Sequence, residues 1–255
     1  GVLVRYPPGA QHVGSGCFEA PPPSDWAPAR AVAVDAAGHV LVGGRVNADT
    51  NLGDGPLPRA GAFIARYHGT SGALLWKRLI PAPLGEVVAL QSSGPHYVFF
   101  NANLGGDFTF GGNTYSSGTP EQRSGYTGTV TTSGTEVWLK DLGHLTLRGL
   151  VVGAQGTRAL TGHGARFDLG GGLLAEDADG DVPFVARFSL TGDHLWSRAF
   201  GPALTGGTGH AALQLTQQPA GTLLAGSEFS APVQLDTRRL TPRGASDLLF
   251  FQLQP

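Results

Sequence analysis

The sequence predicts an all-β protein made of repeated four-stranded units, and three observations carry that expectation. A turn at a glycine, then a short strand bearing a large aromatic and a basic residue, occurs three times. The copies are Ser71-Gly72-Ala73-Leu74-Leu75-Trp76-Lys77-Arg78-Leu79, Ser133-Gly134-Thr135-Glu136-Val137-Trp138-Leu139-Lys140-Asp141-Leu142 and Thr191-Gly192-Asp193-His194-Leu195-Trp196-Ser197-Arg198-Ala199-Phe200. Their tryptophans lie about sixty residues apart, a period that marks a repeat architecture. Gly (40) and Pro (18) are abundant while charged residues make only 14% of the chain, which suits many short strands joined by many turns. Apolar residues alternate with period two from segment to segment, and no helical 3.6 period is found.

The elements follow in order. Val2-Leu3-Val4-Arg5-Tyr6 alternates, and Pro7-Pro8-Gly9 turns it toward His12-Val13, a worn copy of the Trp strand. Pro21-Pro22-Pro23 and Pro28 mark a connection, since proline has no N–H for a ladder. In the first full repeat, Ala31-Val32-Ala33-Val34-Asp35 is a strand and Ala36-Ala37-Gly38-His39 a hairpin turn. Val40-Leu41-Val42-Gly43-Gly44 returns, a loop runs through Asn51-Leu52-Gly53-Asp54-Gly55, and Ala62-Phe63-Ile64-Ala65-Arg66-Tyr67 and the Trp76 strand complete four.

The second repeat has Val87 to Leu90, a turn at Ser93-Gly94, Tyr97 to Phe100, a Gly-rich loop through Gly111-Gly112, Tyr126 to Val130, and the Trp138 strand. The third has Leu150 to Val152, Gln155-Gly156, Ala159 to Gly162, the loop Leu169-Gly170-Gly171-Gly172, Phe184 to Phe188, and the Trp196 strand. The fourth supplies Ala211 to Leu215, Ala220-Gly221, Leu223 to Gly226, and Leu249 to Leu253. All 255 residues are expected to form a single domain, with repeats over about 30–80, 84–142, 146–200 and 208–253 and a partial repeat over 1–18.

Four-stranded units at this spacing are the blades of a β-propeller, with about four or five blades present. The motifs Val32-Ala33-Val34-Asp35-Ala36-Ala37-Gly38, Val42-Gly43-Gly44, Gly170-Gly171-Gly172, Phe184-Val185-Ala186-Arg187-Phe188 and Thr191 to Phe200 carry a resemblance. Together they resemble the bacterial β-propeller repeat family of secreted or surface proteins, and the Gly-, Ala- and Arg-rich character is similar to members from high-GC myxobacteria. The second repeat departs from the pattern by having Thr129 where the others have Arg66 and Arg187, and the fourth is divergent. The resemblance implies a fold and an extracytoplasmic location, secreted or on the cell surface. It implies no activity.

Closure is a further expectation. The N-terminal segment reads as a third and a fourth strand, and the fourth repeat stops after its third. Residues near Gln11–Ser15 are therefore expected to pair antiparallel with residues near Leu248–Leu253, leaving Val2–Tyr6 surplus, because open edges invite pairing. The other expectation is an arc whose partner is the remainder of a larger propeller. No Met occurs anywhere, so the chain is expected to be a processed product or a piece of something longer.

Composition excludes several classes. A net charge of −2 gives no basic footprint for nucleic acid. No apolar run is long enough to make a membrane-spanning helix. One cysteine, Cys17, allows no internal disulfide framework.

Candidate chemistry is thin. Asp177, Asp179 and Asp181 form the densest carboxylate cluster and are the candidate Ca²⁺ ligands. A solvated acidic turn is the simpler reading, because Val182 and Phe188 stand where an EF-hand needs Gly and Glu. The eight histidines show no zinc spacing, and His39, His96 and His194 sit beside turns of their repeats. His163 is the least explained. Arg5, Arg66 and Arg187 recur in one slot, which favours packing between repeats over an anion site. No cofactor is implied.

Two functions from different classes remain. One is a non-enzymatic binding or scaffold module, with a protein or carbohydrate partner. The other is a propeller-type hydrolase or lyase using His163 with Asp35 or Glu86 at a central mouth.

Overall fold

The computed structural model of the chain describes residues 2–5, 14–17, 29–153, 155–174, 181–200, 213–218, 221–229, 232–235 and 238–253. Its described residues are all-β, with no helix among them. Strands β1 (Val2–Arg5) and β2 (Gly14–Cys17) form an antiparallel pair. Strands β3 (Ala29–Val34), β4 (Val40–Val46), β5 (Gly61–Tyr67) and β6 (Leu74–Ile80) then form a four-stranded sheet in sequence order.

Next come β7 (Glu86–Ser93), β8 (Tyr97–Gly105), a small hairpin of β9 (Asp107–Phe110) and β10 (Asn113–Ser116), then β11 (Arg123–Thr131) and β12 (Glu136–Asp141). The sheet order is β7-β8-β11-β12. The third sheet takes β13 (Thr146–Val152) and β14 (Arg158–Gly164), then, after the short pair β15 (Phe167–Asp168) and β16 (Leu173–Leu174), β17 (Val182–Phe188) and β18 (His194–Ala199). The last is three-stranded: β19 (Gln214–Gln217), β20 (Leu223–Phe229) and β23 (Asp247–Leu253), with β21 (Val233–Leu235) and β22 (Arg238–Leu240) inserted as a hairpin. Within the sheets, sequence neighbours pair antiparallel, as short turns require.

Local chemistry sets these elements. The β3–β4 turn places Gly38 at φ 78°, a region that costs any residue with a Cβ. Asp35 fixes the same turn, its Oδ1 accepting from the amides of Ala37 at 2.9 Å and His39 at 3.0 Å.

The Gly-rich stretches expected as loops fold instead into hairpins between the second and third strands. In the first and third sheets the cause is local hydrogen bonding by an Asx side chain. Asn51 Oδ1 accepts from the amides of Gly53 and Gly55 at 2.8 and 3.0 Å. Asp168 Oδ1 does the same for Gly170 and Gly172 at 2.7 and 3.0 Å. Each hairpin carries apolar plugs, Leu52, Phe108, Phe110, Phe167 and Leu169, all buried.

The expected pairing of Gln11–Ser15 with Leu248–Leu253 is corrected where it is described. Gly14 and Ser15 pair with Arg5 and Val4, while residues 11–13 lie outside the described residues. A hairpin between segments this close in sequence closes a short loop, which costs less entropy than a contact across the whole chain. Strand β23 pairs with β20 and lies at the edge of its sheet.

The chain divides into two compact units, Gly1–Arg123 with Thr127–Leu139, and Ser124–Tyr126 with Lys140–Pro255. In the first unit, β7 lies against the middle of the β3–β6 sheet. A Cβ on Gly43 would fall 2.7 Å from Val87 Cγ1 and 2.9 Å from Leu90 Cδ1, so the missing side chain lets these two pack close to the strand. Ile64, paired with Gly43, is fully buried on the same face.

Arg66 lies opposite Trp76. Its Nη1 donates to Thr132 O at 2.9 Å, and Trp76 Nε1 donates to that oxygen at 2.8 Å. The Trp76 ring lies over Gly134, where a Cβ would meet it at 2.8 Å, and Arg78 Nε donates to Gly134 O. A second cluster, Val42, Val46, Leu52, Leu57, Phe63, Ala65 and Tyr67, fills the other face of the sheet.

The second unit repeats the plan. Arg187 lies opposite Trp196 and reaches Gly221 O and Thr157 Oγ1, each at 3.4 Å. Lys140, in the slot of Arg78, donates to Gly192 O at 2.8 Å, and Gly192 is the counterpart of Gly134. Ala159, Val185, Phe200, Leu213, Leu223, Ala225, Phe229, Leu249 and Leu253 form one core that joins the third and fourth sheets. Trp76, Trp138 and Trp196 hold equivalent places in fourth strands and are half-buried.

Candidate functional site

Of the candidate side chains, Asp35, Glu86, His163 and Asp181 lie among the described residues and have structural partners there. Asp35 is buried, and besides its two turn amides it accepts from Arg66 Nε at 2.7 Å. Burial alone would raise its carboxyl, but the His39 amide, Arg66 and the Ala37 amide outweigh that and hold it below the usual carboxylate range. The arrangement anchors a turn and the Arg66 fork.

Glu86 opens β7 between two cations, Arg30 Nε at 3.3 Å and Arg123 Nη1 at 3.5 Å. His163 lies on β14, buried, with Nε2 at 3.7 Å from Asp181 Oδ2. That carboxylate is exposed. Asp177 and Asp179 lie outside the described residues. Among the described residues, no three His, Cys, Asp or Glu side chains converge to hold a metal ion.

Two of the recurrent arginines, Arg66 and Arg187, are accounted for by the carbonyls they reach. Arg66 and Arg187 both donate to a turn carbonyl of the following repeat in the same unit. Histidines act similarly: His39 Nδ1 accepts from the Gly69 amide at 3.1 Å, and His194 Nε2 is 2.9 Å from Ser197 Oγ.

Two features were not visible in the sequence. Arg158 occupies the slot of Val40 and is fully buried, with Nη2 donating to Leu190 O at 2.9 Å. Burial pushes its pKa down to about 9.

The other feature is an open apolar face on β23. Along Asp247-Leu248-Leu249-Phe250-Phe251-Gln252-Leu253, burial alternates. Leu249 and Leu253 enter the core, whereas Leu248 and Phe250 are 72% and 76% exposed. The Phe250 ring leans over Gly226, its cross-strand partner. A comparable patch lies on β3, where Val32 and Val34 are each 62% exposed. No sequence signal distinguishes them, because alternation reports two faces and not what covers each.

No family model matches the sequence, and no curated protein matches it. Among solved structures, the chain is similar to a protein of unknown function from Bacteroides caccae. The TM-score is 0.48 at 12% identity, over 93% of this chain and 68% of that one. No helix of the described residues is long and apolar enough to cross a membrane.

Proposed function

We propose that the protein is a non-enzymatic binding or scaffold module of β-propeller type, displayed outside the cytoplasm, that engages protein partners through open apolar sheet faces. The observation that carries this reading is the exposure of Leu248 and Phe250 on one face of β23. Water contact with both side chains is a standing free-energy cost that burial by a partner removes, about 2 kcal/mol for each large side chain fully covered. Antiparallel sheets, with β7 of one packed on the middle of another, support the propeller assignment. The extracytoplasmic location follows from the resemblance of the repeats.

A hydrophobic dye such as bis-ANS tests the face directly. The wild-type chain is expected to enhance its fluorescence, and Leu248→Glu/Phe250→Glu to lose most of that signal. Equal signals from both proteins would remove the basis of the proposal.

The His163–Asp181 pair favours a second reading, a hydrolase or lyase. The pair is beyond hydrogen-bonding distance at 3.7 Å, and a carboxylate that closed onto the imidazole would orient it as a general base. Turnover of an ester or glycoside substrate that disappears in His163→Ala, with folding retained, would establish it.

A further inference from the structure

Within each unit, one kind of contact joins successive sheets, and both of its halves recur uncovered elsewhere on the chain. The receiving half is the face holding Gly43 and Ile64, which are cross-strand partners. It is filled by Val87 and Leu90 of the next sheet's first strand. In the third sheet the matching receiver is Val185, and Leu213, just before the following first strand, packs with that strand's Leu215 into the same core. Ile64 and Val185 are fully buried as a result. In the fourth sheet the same register positions are Gly226 and Phe250, and there the receiving face is open, with Phe250 at 76% and Leu248 at 72% exposure.

The inserting half recurs as well. Leu90 pairs with Phe100 one residue past the bulge pair of β7. Val32 pairs with Val42 at the same step past the bulge of β3. Leu90 is 8% exposed because it inserts against another sheet, whereas Val32 is 62% exposed. The chain therefore carries an inserting face on β3 and a receiving face on β20–β23, each of the chemistry that the other form of the contact buries.

We propose that the protein self-associates head to tail, β3 of one copy packing through Val32 and Val34 onto the Gly226, Leu248 and Phe250 face of a second copy. This rests on the binding reading above and names its partner. The occupant is a second copy because the face fits an aliphatic first strand from the same repeat, and this chain displays one. Such a contact uses two different patches and is heterologous, so it generates rings or filaments rather than a self-complementary pair.

Light scattering behind size exclusion tests this on the full chain. The wild type is expected to rise in mass from 26.3 kDa to twice that or more as concentration increases through the micromolar range. Val32→Glu and Phe250→Glu, both at exposed sites and so not expected to unfold the chain, should each stay monomeric alone. An equimolar mixture should recover a one-to-one pair, because each variant retains the face the other lacks. A wild type that stays monomeric while still binding bis-ANS overturns self-association and leaves the binding face standing. Loss of both signals removes both. Association abolished by Phe250→Glu but kept by Val32→Glu, or a mixture that does not recover, overturns the head-to-tail geometry.

Discussion

Strands β5 and β23 hold corresponding places in their sheets and read alike, Phe63-Ile64-Ala65-Arg66-Tyr67 against Leu249-Phe250-Phe251-Gln252-Leu253, yet they end in different surroundings. Every residue of β5 except Arg66 is buried, whereas β23 buries one face and leaves Leu248, Phe250 and Gln252 exposed. The difference does not lie in either strand. Ile64 is covered because another sheet inserts Val87 and Leu90 over its neighbour Gly43. Phe250 has no such cover. Burial in a stacked-sheet protein is thus a property of the next repeat, and an uncovered copy of a normally covered slot points to the partner that fits it.

Truncation gives the largest expected contrast. Ile64→Ala should cost about 2–5 kcal/mol, the range for deleting a fully buried aliphatic side chain. Phe250→Ala should change the unfolding free energy of the monomer by less than about 0.5 kcal/mol, as for other surface positions. Urea denaturation of the two variants at low protein concentration measures both. Equal losses would mean that Phe250 is covered in solution.

Asp35 sharpens the comparison from the Arg66 side. Asp35→Ala strands a half-buried guanidinium and two turn amides, and should cost about 3 kcal/mol. Asp35→Asn keeps an acceptor for the amides and should cost less. The sign with pH follows from its lowered pKa. A depressed carboxyl stabilises the fold above its unfolded value, and that contribution disappears as pH falls through the folded value. The wild-type advantage over Asp35→Asn should be full at neutral pH and shrink below the ordinary carboxylate range. A pH-independent advantage would show that charge is not involved.

Two tryptophans in one slot give a smaller contrast. Trp76 Nε1 donates to Thr132 O, whereas Trp196 Nε1 is buried with no hydrogen-bond partner among the described residues. Trp76→Phe should cost about 1 kcal/mol for the lost bond. Trp196→Phe should be neutral or slightly stabilising, because it removes an unsatisfied donor. Thermal melts of the pair separate the two cases. The smallest expected effect is that of Ca²⁺. Its millimolar addition should leave the melting temperature unchanged, and a rise abolished by Asp179→Ala would identify a site over Asp177–Asp181.

What the sequence determined by itself is the local plan. Period-two alternation specifies strands, Gly38, Gly72, Gly134 and Gly192 specify turns, and the spacing of three tryptophans specifies where each outer strand falls. These depend on interactions over a few residues, and the chain alone encodes them. The Asx-Gly hairpins at Asn51 and Asp168 were also written locally, in Asn-x-Gly-x-Gly and Asp-x-Gly-x-Gly, though the pattern reads as a loop until its hydrogen bonds are seen.

Tertiary structure alone decided the rest. Asp35 and Glu86 looked like chemistry and have cationic partners, because their neighbours Arg66, Arg30 and Arg123 come from other strands or distant sequence. Arg158 stands where the first repeat has Val40 and is fully buried. Leu248 and Phe250 are large apolar residues of a strand and face water. In each case the sequence supplies the side chain and its direction from the sheet, while cover comes from a strand tens of residues away, and no local periodicity carries that information.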